Sequence, residues 1–207
     1  MKKAKFTQIF LVGLLALSVV NSGNIVNAAS NVISNTTSKA ANNVNVPSKI
    51  TKQLLTGDKF NSKTVKVFIE PNNPAGIQQD IQLAVKDWSQ ATNHVKFEIV
   101  HDRNVANVRF TTGQISYFRN ALTFQDQTTP NGNHVLIDRA VVKIDPQNFD
   151  QTKVSNFGIR VASHELGHVL GLADVKNTNL KYSTIMWYHD PAVGITQNDI
   201  NAINYLY

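Results

Sequence analysis

Two histidines and a glutamate lie close together in the segment VASHELGHVLGLAD, residues 161–174. On a helix, His164 and His168 are one turn apart, so both imidazoles cover the same surface patch and can reach one cation. Glu165, beside the first histidine, can accept a proton from a water molecule held there. The spacing H-E-x-x-H therefore predicts a zinc site with a general base. The alternative is a helix that carries two solvated histidines and a surface glutamate.

A catalytic zinc site of this kind needs a third protein ligand. The chain has no cysteine, and none of its three glutamates follows residue 165. The downstream candidates are Asp174, His189, Asp190 and Asp199. Gly171 favours Asp174, because a left-handed glycine ends a helix sharply and lets the chain return to the same ion. The extended pattern is H-E-x-x-H-x-x-G-x-x-D.

This pattern resembles that of the metzincin zinc peptidases, and the likeness is closest to the matrixins. STIMWY at 183–188 is similar to their methionine turn, and ITQNDINAINYLY at 195–207 is similar to their closing helix. The strand near Val65 and the helix through Trp88 also resemble the start of a matrixin catalytic domain. The resemblance thus covers most of residues 65–207, and it implies a metzincin fold.

The resemblance also implies roles for single residues. One catalytic Zn²⁺ would be held by His164, His168 and Asp174, with Glu165 as the general base. Asp174 stands where matrixins normally place a third histidine, and an anionic ligand should make a zinc-bound water somewhat less acidic. Without cysteine, the thiol latch of the matrixins cannot exist. A Ca²⁺ ion is implied by family analogy only.

The segment that resembles the methionine turn implies a substrate pocket. Met186 would supply an apolar floor below the metal ligands, and the residues after it, Trp187 and Tyr188, would form one wall of the pocket. Tyr188 has two interpretations, a tyrosine of the pocket wall or a group that reaches the metal or a developing oxyanion. His189 beside it is interpreted as a solvated loop residue.

The remaining sequence predicts an α+β fold with α/β-like features. TVKVFIE at 64–70 alternates as a half-buried strand does, and further strands are predicted at 95–100, 106–111 and 135–144. An apolar stripe predicts a helix that ends near Asn93, and Thr196 with Asp199 predicts a capping box for a closing helix. We therefore expect a small twisted mixed sheet packed on two long helices, with a short C-terminal subdomain ending in a helix.

Composition divides the chain into three parts. A lysine-rich start, an apolar run and small residues predict a signal peptide at 1–28. Residues 29–62 are rich in Asn, Ser and Thr and are expected to be a spacer or a pro-segment. A single catalytic domain is predicted over 63–207. The apolar run near the start is shorter than the roughly 20 residues that span a bilayer, so cleavage and export are favoured over an anchor.

Charge and composition narrow the function. Removal of Lys2, Lys3 and Lys5 with the signal lowers the formal net charge from +6 to +3. The sequence also has no basic cluster interleaved with aromatic residues. A nucleic-acid partner is therefore not expected. We predict a monomeric secreted zinc endopeptidase, free or at the cell surface, whose partner is a protein or peptide substrate. The alternatives are a zinc-stabilised binding or adhesion module without catalysis, and a peptidase dedicated to one partner protein.

Overall fold

The computed structural model describes residues 47–115 and 119–207. The predicted signal peptide at 1–28, and the spacer or pro-segment up to residue 46, lie outside these residues. Among the residues described, no helix has the length and apolar character needed to cross a membrane.

Six strands of the described chain form one mixed sheet. The strands are β1 (Lys59–Phe60), β2 (Thr64–Ile69), β3 (Lys96–Val100), β4 (Val108–Thr112), β5 (Ala121–Asn131) and β6 (His134–Ile144). The path β1-β6-β4-β2-β3 is parallel throughout, and β5 pairs antiparallel with β6. Among the described residues β5 pairs with no other strand, so it leaves a free edge.

Four α-helices in the described part of the chain accompany the sheet. They are α1 (Lys49–Leu54), α2 (Ala75–Ala91), α3 (Asn156–Val169) and α4 (Gln197–Leu206). The two long helices, α2 and α3, pack together, and Trp88 Nε1 on α2 donates to the Ser163 carbonyl on α3 at 2.8 Å. A mixed sheet on two long helices confirms the predicted fold class.

The apolar spacing read from the sequence corresponds to the core of the domain. The stripe of α2 (Ile77, Ile81, Ala84 and Trp88) is fully buried, and so are Val65 and Val67 on β2. At the start of α4, the backbone N–H of Thr196 donates to Asp199 Oδ2 at 2.8 Å, as the predicted capping box requires. These elements are predictable because each repeats one apolar period within a short segment.

Two parts of the fold differ from the predicted elements. No strand is predicted from sequence between residues 111 and 135, but β5 runs through this stretch as far as Asn131, and the hairpin turns at Gly132. Ordered structure also begins before Lys63, because α1 and β1 pack on the domain through Leu54 and Phe60. These two side chains are only 0% and 2% exposed.

Candidate metal centre

The helix α3 is held at both ends by local hydrogen bonds. At its start the Ser155 hydroxyl accepts from the Gly158 backbone N–H at 2.9 Å, which caps the first turn. At its end Gly171 adopts φ +97°. The backbone N–H groups of Gly171 and Leu172 then donate to the carbonyls of His168 and Gly167 at 3.0 and 2.9 Å. This pair of bonds is a Schellman motif, so the sharp helix end predicted at Gly171 is confirmed.

The turn brings three donor atoms to one point. His164 Nε2 lies 3.3 Å from Asp174 Oδ1, and His168 Nε2 lies 3.4 Å from the same oxygen. All three donor atoms lie within 4.8 Å of one another. Across residues 47–115 and 119–207, no other three His, Cys, Asp or Glu side chains have donor atoms within this distance of one another.

Backbone carbonyls determine how the two imidazoles face this point. His164 Nδ1 lies 2.8 Å from the Ile185 carbonyl, and His168 Nδ1 lies 2.9 Å from the Leu172 carbonyl. Because a carbonyl only accepts, each Nδ1 must carry the hydrogen. In the neutral ring, each Nε2 therefore presents a lone pair to the shared point, as a metal ligand does.

Charge at the centre is balanced by a proton or by a cation. Burial acts to lower the pKa of His168, but the hydrogen bond to Asp174 and the charges of Glu165 and Asp174 outweigh it and raise the pKa. Burial acts to raise the pKa of Asp174, but hydrogen bonds from His164 and His168 outweigh it and hold the pKa far below its ordinary value. These interactions favour a proton on His168 when no metal is bound, and a metal ion would compete with that proton for the same site.

A segment before residue 63 supports the loop that carries Asp174. The backbone N–H of Ala173 donates to the Leu54 carbonyl at 2.8 Å. The Gly171 carbonyl accepts from the backbone N–H and the hydroxyl of Thr56, at 3.2 and 2.8 Å. Sequence reasoning missed this support, because the contact joins residues more than one hundred positions apart.

Glu165 lies beside the three donors and points into a cleft. The residue is only 5% exposed, and it lines a cleft of about 670 Å³ together with His164, His168 and Asp174. Residues 121–123 and 125 of β5 line the same cleft. The free edge of β5 therefore runs along the cleft that contains the candidate metal centre.

The segment 183–188 lies under and beside the ligands. Met186 is fully buried, and its sulfur lies only 2.4 Å from where a Cβ on Gly167 would be, so the methionine fits against α3 because residue 167 is glycine. Trp187 is also buried, whereas Tyr188 is 42% exposed and lines the cleft. The Tyr188 ring is tilted by 45° to that of His189, with centroids 4.0 Å apart.

The other candidates for a third ligand lie elsewhere. Asp199 is fully buried, and it accepts from the Thr184 hydroxyl and from the Ile185 backbone N–H at 3.1 Å. It therefore links α4 to the segment that orients His164. His189 and Asp190 line the cleft, but their side chains do not join the group of three donor atoms.

The donor set suits Zn²⁺. Two neutral imidazole nitrogens and one carboxylate oxygen are ligands that zinc accepts, and three protein ligands leave a fourth position for water or substrate. Both imidazoles have carbonyl partners on Nδ1, as zinc-bound histidines usually do. These residues therefore fit a catalytic zinc ion.

The mixed sheet, the helix with H-E-x-x-H and the turn at Gly171 form the arrangement of a metzincin-type metallopeptidase. The family model described as Matrixin matches residues 59–207, which is most of the chain. The protein therefore belongs to the matrixins, a family of zinc-dependent metallopeptidases, as the sequence resemblance indicated. No curated protein matches the chain.

Proposed function

We propose that this protein is a secreted zinc-dependent endopeptidase that cleaves extended protein or peptide chains. One observation carries the proposal: the donor atoms of His164, His168 and Asp174 converge beside Glu165 in an open cleft. The signal peptide predicted at 1–28 supports export, and the same proposal treats the mature protein as a monomer. Residues 29–62 are proposed as a spacer or pro-segment, of which Leu54 and Thr56 contact the loop of Asp174.

The residues of the cleft divide the reaction among them. Zinc, when bound, would supply a Lewis acid that activates water and polarises the scissile carbonyl. Glu165 accepts the proton of the attacking water and then donates it to the leaving amine. The free edge of β5 at residues 121–125, the part of the strand that lines the cleft, pairs with the backbone of an extended substrate, which aligns the scissile bond with the carboxylate. Tyr188 forms part of the wall beside it.

Replacement of the proposed base tests this mechanism. Glu165→Ala should keep zinc at one ion per chain and lower the cleavage of casein by about 100-fold or more, since general-base catalysis contributes about 10²–10⁴. Glu98→Ala is the matched control, because Glu98 pairs with Lys96 on the surface, away from the cleft. Retained cleavage by Glu165→Ala would exclude Glu165 as the base.

The same assay separates this proposal from a zinc-stabilised binding module. If the protein is such a module, the wild-type chain itself would bind zinc but leave casein intact. A peptidase dedicated to one partner would cleave few members of a mixed peptide library, whereas a broad endopeptidase would cleave many. The assay should use the chain with residues 47–62 present, since Leu54 and Thr56 contact the loop of Asp174.

A further inference from the structure

A hydroxyl group on the edge strand β5 contacts the carboxylate of Glu165. Thr123 Oγ1 lies 2.5 Å from Glu165 Oε2, and 3.2 Å from the Glu165 backbone carbonyl. The Glu165 carbonyl oxygen and Oε2 are both acceptors, so the Thr123 hydroxyl is the donor. The shorter distance assigns its hydrogen to the carboxylate. A short O–H···O⁻ bond of this kind is stronger than a bond between neutral groups.

The two carboxylate oxygens consequently have different surroundings. Among the described residues, Oε2 accepts from Thr123, whereas Oε1 has no hydrogen-bond partner. Among the described residues, the only fully buried side-chain nitrogen or oxygen without a hydrogen-bond partner is Arg109 Nε. Glu165 Oε1 also lacks a partner, so it is not fully buried, and it is accessible from the cleft that Glu165 lines. One oxygen of the carboxylate is thus held by β5, and the other is available to a water molecule.

The backbone and side chain of Thr123 both limit where its hydroxyl can lie. Thr123 pairs with Val142 in the β5–β6 ladder, which fixes the face of the strand on which its side chain projects. Its β-branched side chain has few χ1 rotamers, so the hydroxyl has little freedom once the strand is in place. A rigid donor of this kind can orient a carboxylate without itself contacting substrate.

We propose that Thr123 is a positioning residue for the general base, which holds Glu165 Oε2 so that Oε1 faces the attacking water. The inference rests on the proposed function of Glu165 and adds to it a residue from another element of the fold. Because β5 is also the edge on which the substrate is proposed to pair, the same strand aligns both the base and the scissile bond. Proton transfer depends on this mutual geometry.

Two substitutions separate the hydroxyl from the rest of the side chain. Thr123→Val removes the donor at nearly constant shape, and Thr123→Ser keeps the donor. We expect kcat to fall about tenfold or more in Thr123→Val, with KM and zinc content within about twofold of wild type. Thr123→Ser should restore kcat to within about threefold of wild type, since the hydroxyl returns with somewhat more rotamer freedom.

The strand offers a matched control. Thr129 also lies on β5, and its hydroxyl donates to the Asp138 carboxylate at 2.7 Å, away from the cleft. Thr129→Val therefore removes the same type of bond and should leave kcat unchanged. The measurement is kcat and KM for an internally quenched peptide built on a site that the wild-type protein cleaves in casein, with zinc content determined for each variant.

The outcomes are distinguishable. If wild type is active and Thr123→Val matches it, or if Thr123→Ser is as slow as Thr123→Val, the positioning role is wrong while the proposed function stands. If wild type binds zinc but cleaves neither casein nor a peptide library, the proposed function fails and this inference fails with it. A fall in kcat with Ser rescue, and with Thr129→Val unaffected, supports the inference.

Discussion

At the scale of single residues, the candidate site depends on partners that orient its ligands. The carbonyls of Ile185 and Leu172 hold His164 and His168 with Nε2 toward the shared point. Asp174 supplies the third donor from a loop in which its side chain is 46% exposed. The Asp174 carboxylate is thus the candidate ligand with the least support from packing, and its replacement is the most informative.

Replacement of Asp174 tests its role as the third ligand. Asp174→Ala should weaken zinc binding by about 100-fold or more, because two imidazoles alone leave the coordination of zinc incomplete. Asp174→His should keep zinc bound, since the family usually places histidine at this point of the pattern. Competition with a chromogenic chelator measures both affinities. Unchanged affinity in Asp174→Ala would show that Asp174 is not a ligand.

The metal-free protein should show a pH dependence that originates at the same site. The pKa of His168 is raised above its ordinary 6.5, so protonated His168 paired with Asp174 stabilises the fold fully below pH 6.5. This stabilisation is lost as the pH rises through the raised pKa. We expect the free energy of unfolding in chelator to decrease over that range.

Denaturant unfolding at several pH values measures this decrease. Asp174→Asn should remove most of it, because the neutral amide lacks the negative charge that stabilises the protonated ring. Zinc affinity should change in the opposite direction and rise with pH, since zinc binds the neutral imidazole. A metal-free protein whose stability does not fall as the pH rises above 6.5 would contradict the assignment of this proton to His168.

At the scale of secondary structure, the end of α3 packs against residues 54–58, which lie far earlier in the chain. Gly171 adopts φ +97°, and a Cβ built there would lie 2.1 Å from the Asp58 carbonyl oxygen. Only glycine fits both the left-handed backbone and this close approach. The segment from Leu54 to Asp58 therefore packs against the turn that returns Asp174 to the histidines.

A glycine pair tests this dependence. Gly171→Ala should lower the free energy of unfolding by about 2 kcal/mol or more, since a left-handed non-glycine residue costs 1–2 kcal/mol before any clash. It should also weaken zinc binding, because the loop of Asp174 must shift. Gly194→Ala is the control, as nothing lies within 4 Å of its added Cβ. Equal stability of both variants in denaturant unfolding would contradict the requirement for glycine at 171.

The same scale shows why sequence predicts some elements and not others. The three candidate ligands lie within 11 residues on one helix and its turn, so local spacing is enough to predict that they come together. β5 was missed because most of it is exposed on both faces and it contains Pro130, so it lacks an apolar period. Its structure comes from hydrogen bonds to β6, which no local pattern encodes.

Long-range contacts account for the residues of the site that sequence reasoning did not find. Thr123 meets Glu165 across 42 positions, and Thr56 meets Gly171 across 115. A threonine in a polar stretch carries no signal of such a contact, because threonine is frequent on strands and in loops alike. Only the pairing of β5 with β6 and the packing of α1 reveal these partners.

At the scale of the whole molecule, zinc should stabilise a chain that has no disulfide. A ligand that binds only the folded state stabilises it by RT ln(1 + [L]/Kd), about 4 kcal/mol when free zinc is 1,000 times Kd. Chelation should then lower Tm by roughly 10 °C for a domain of this size. Differential scanning fluorimetry with and without chelator measures the shift. Asp174→Ala should show little of it, and an equally large shift in that variant would place the stabilising metal elsewhere.

The most direct test of the shared metal site is zinc-edge X-ray absorption on the purified protein, with zinc content determined on the same sample. We predict one zinc per chain, with the scattering of two imidazole rings and oxygen ligands at about 2.0–2.2 Å. Zinc well below one per chain, or bound zinc without two imidazoles, would contradict the convergence of His164, His168 and Asp174 on a single ion.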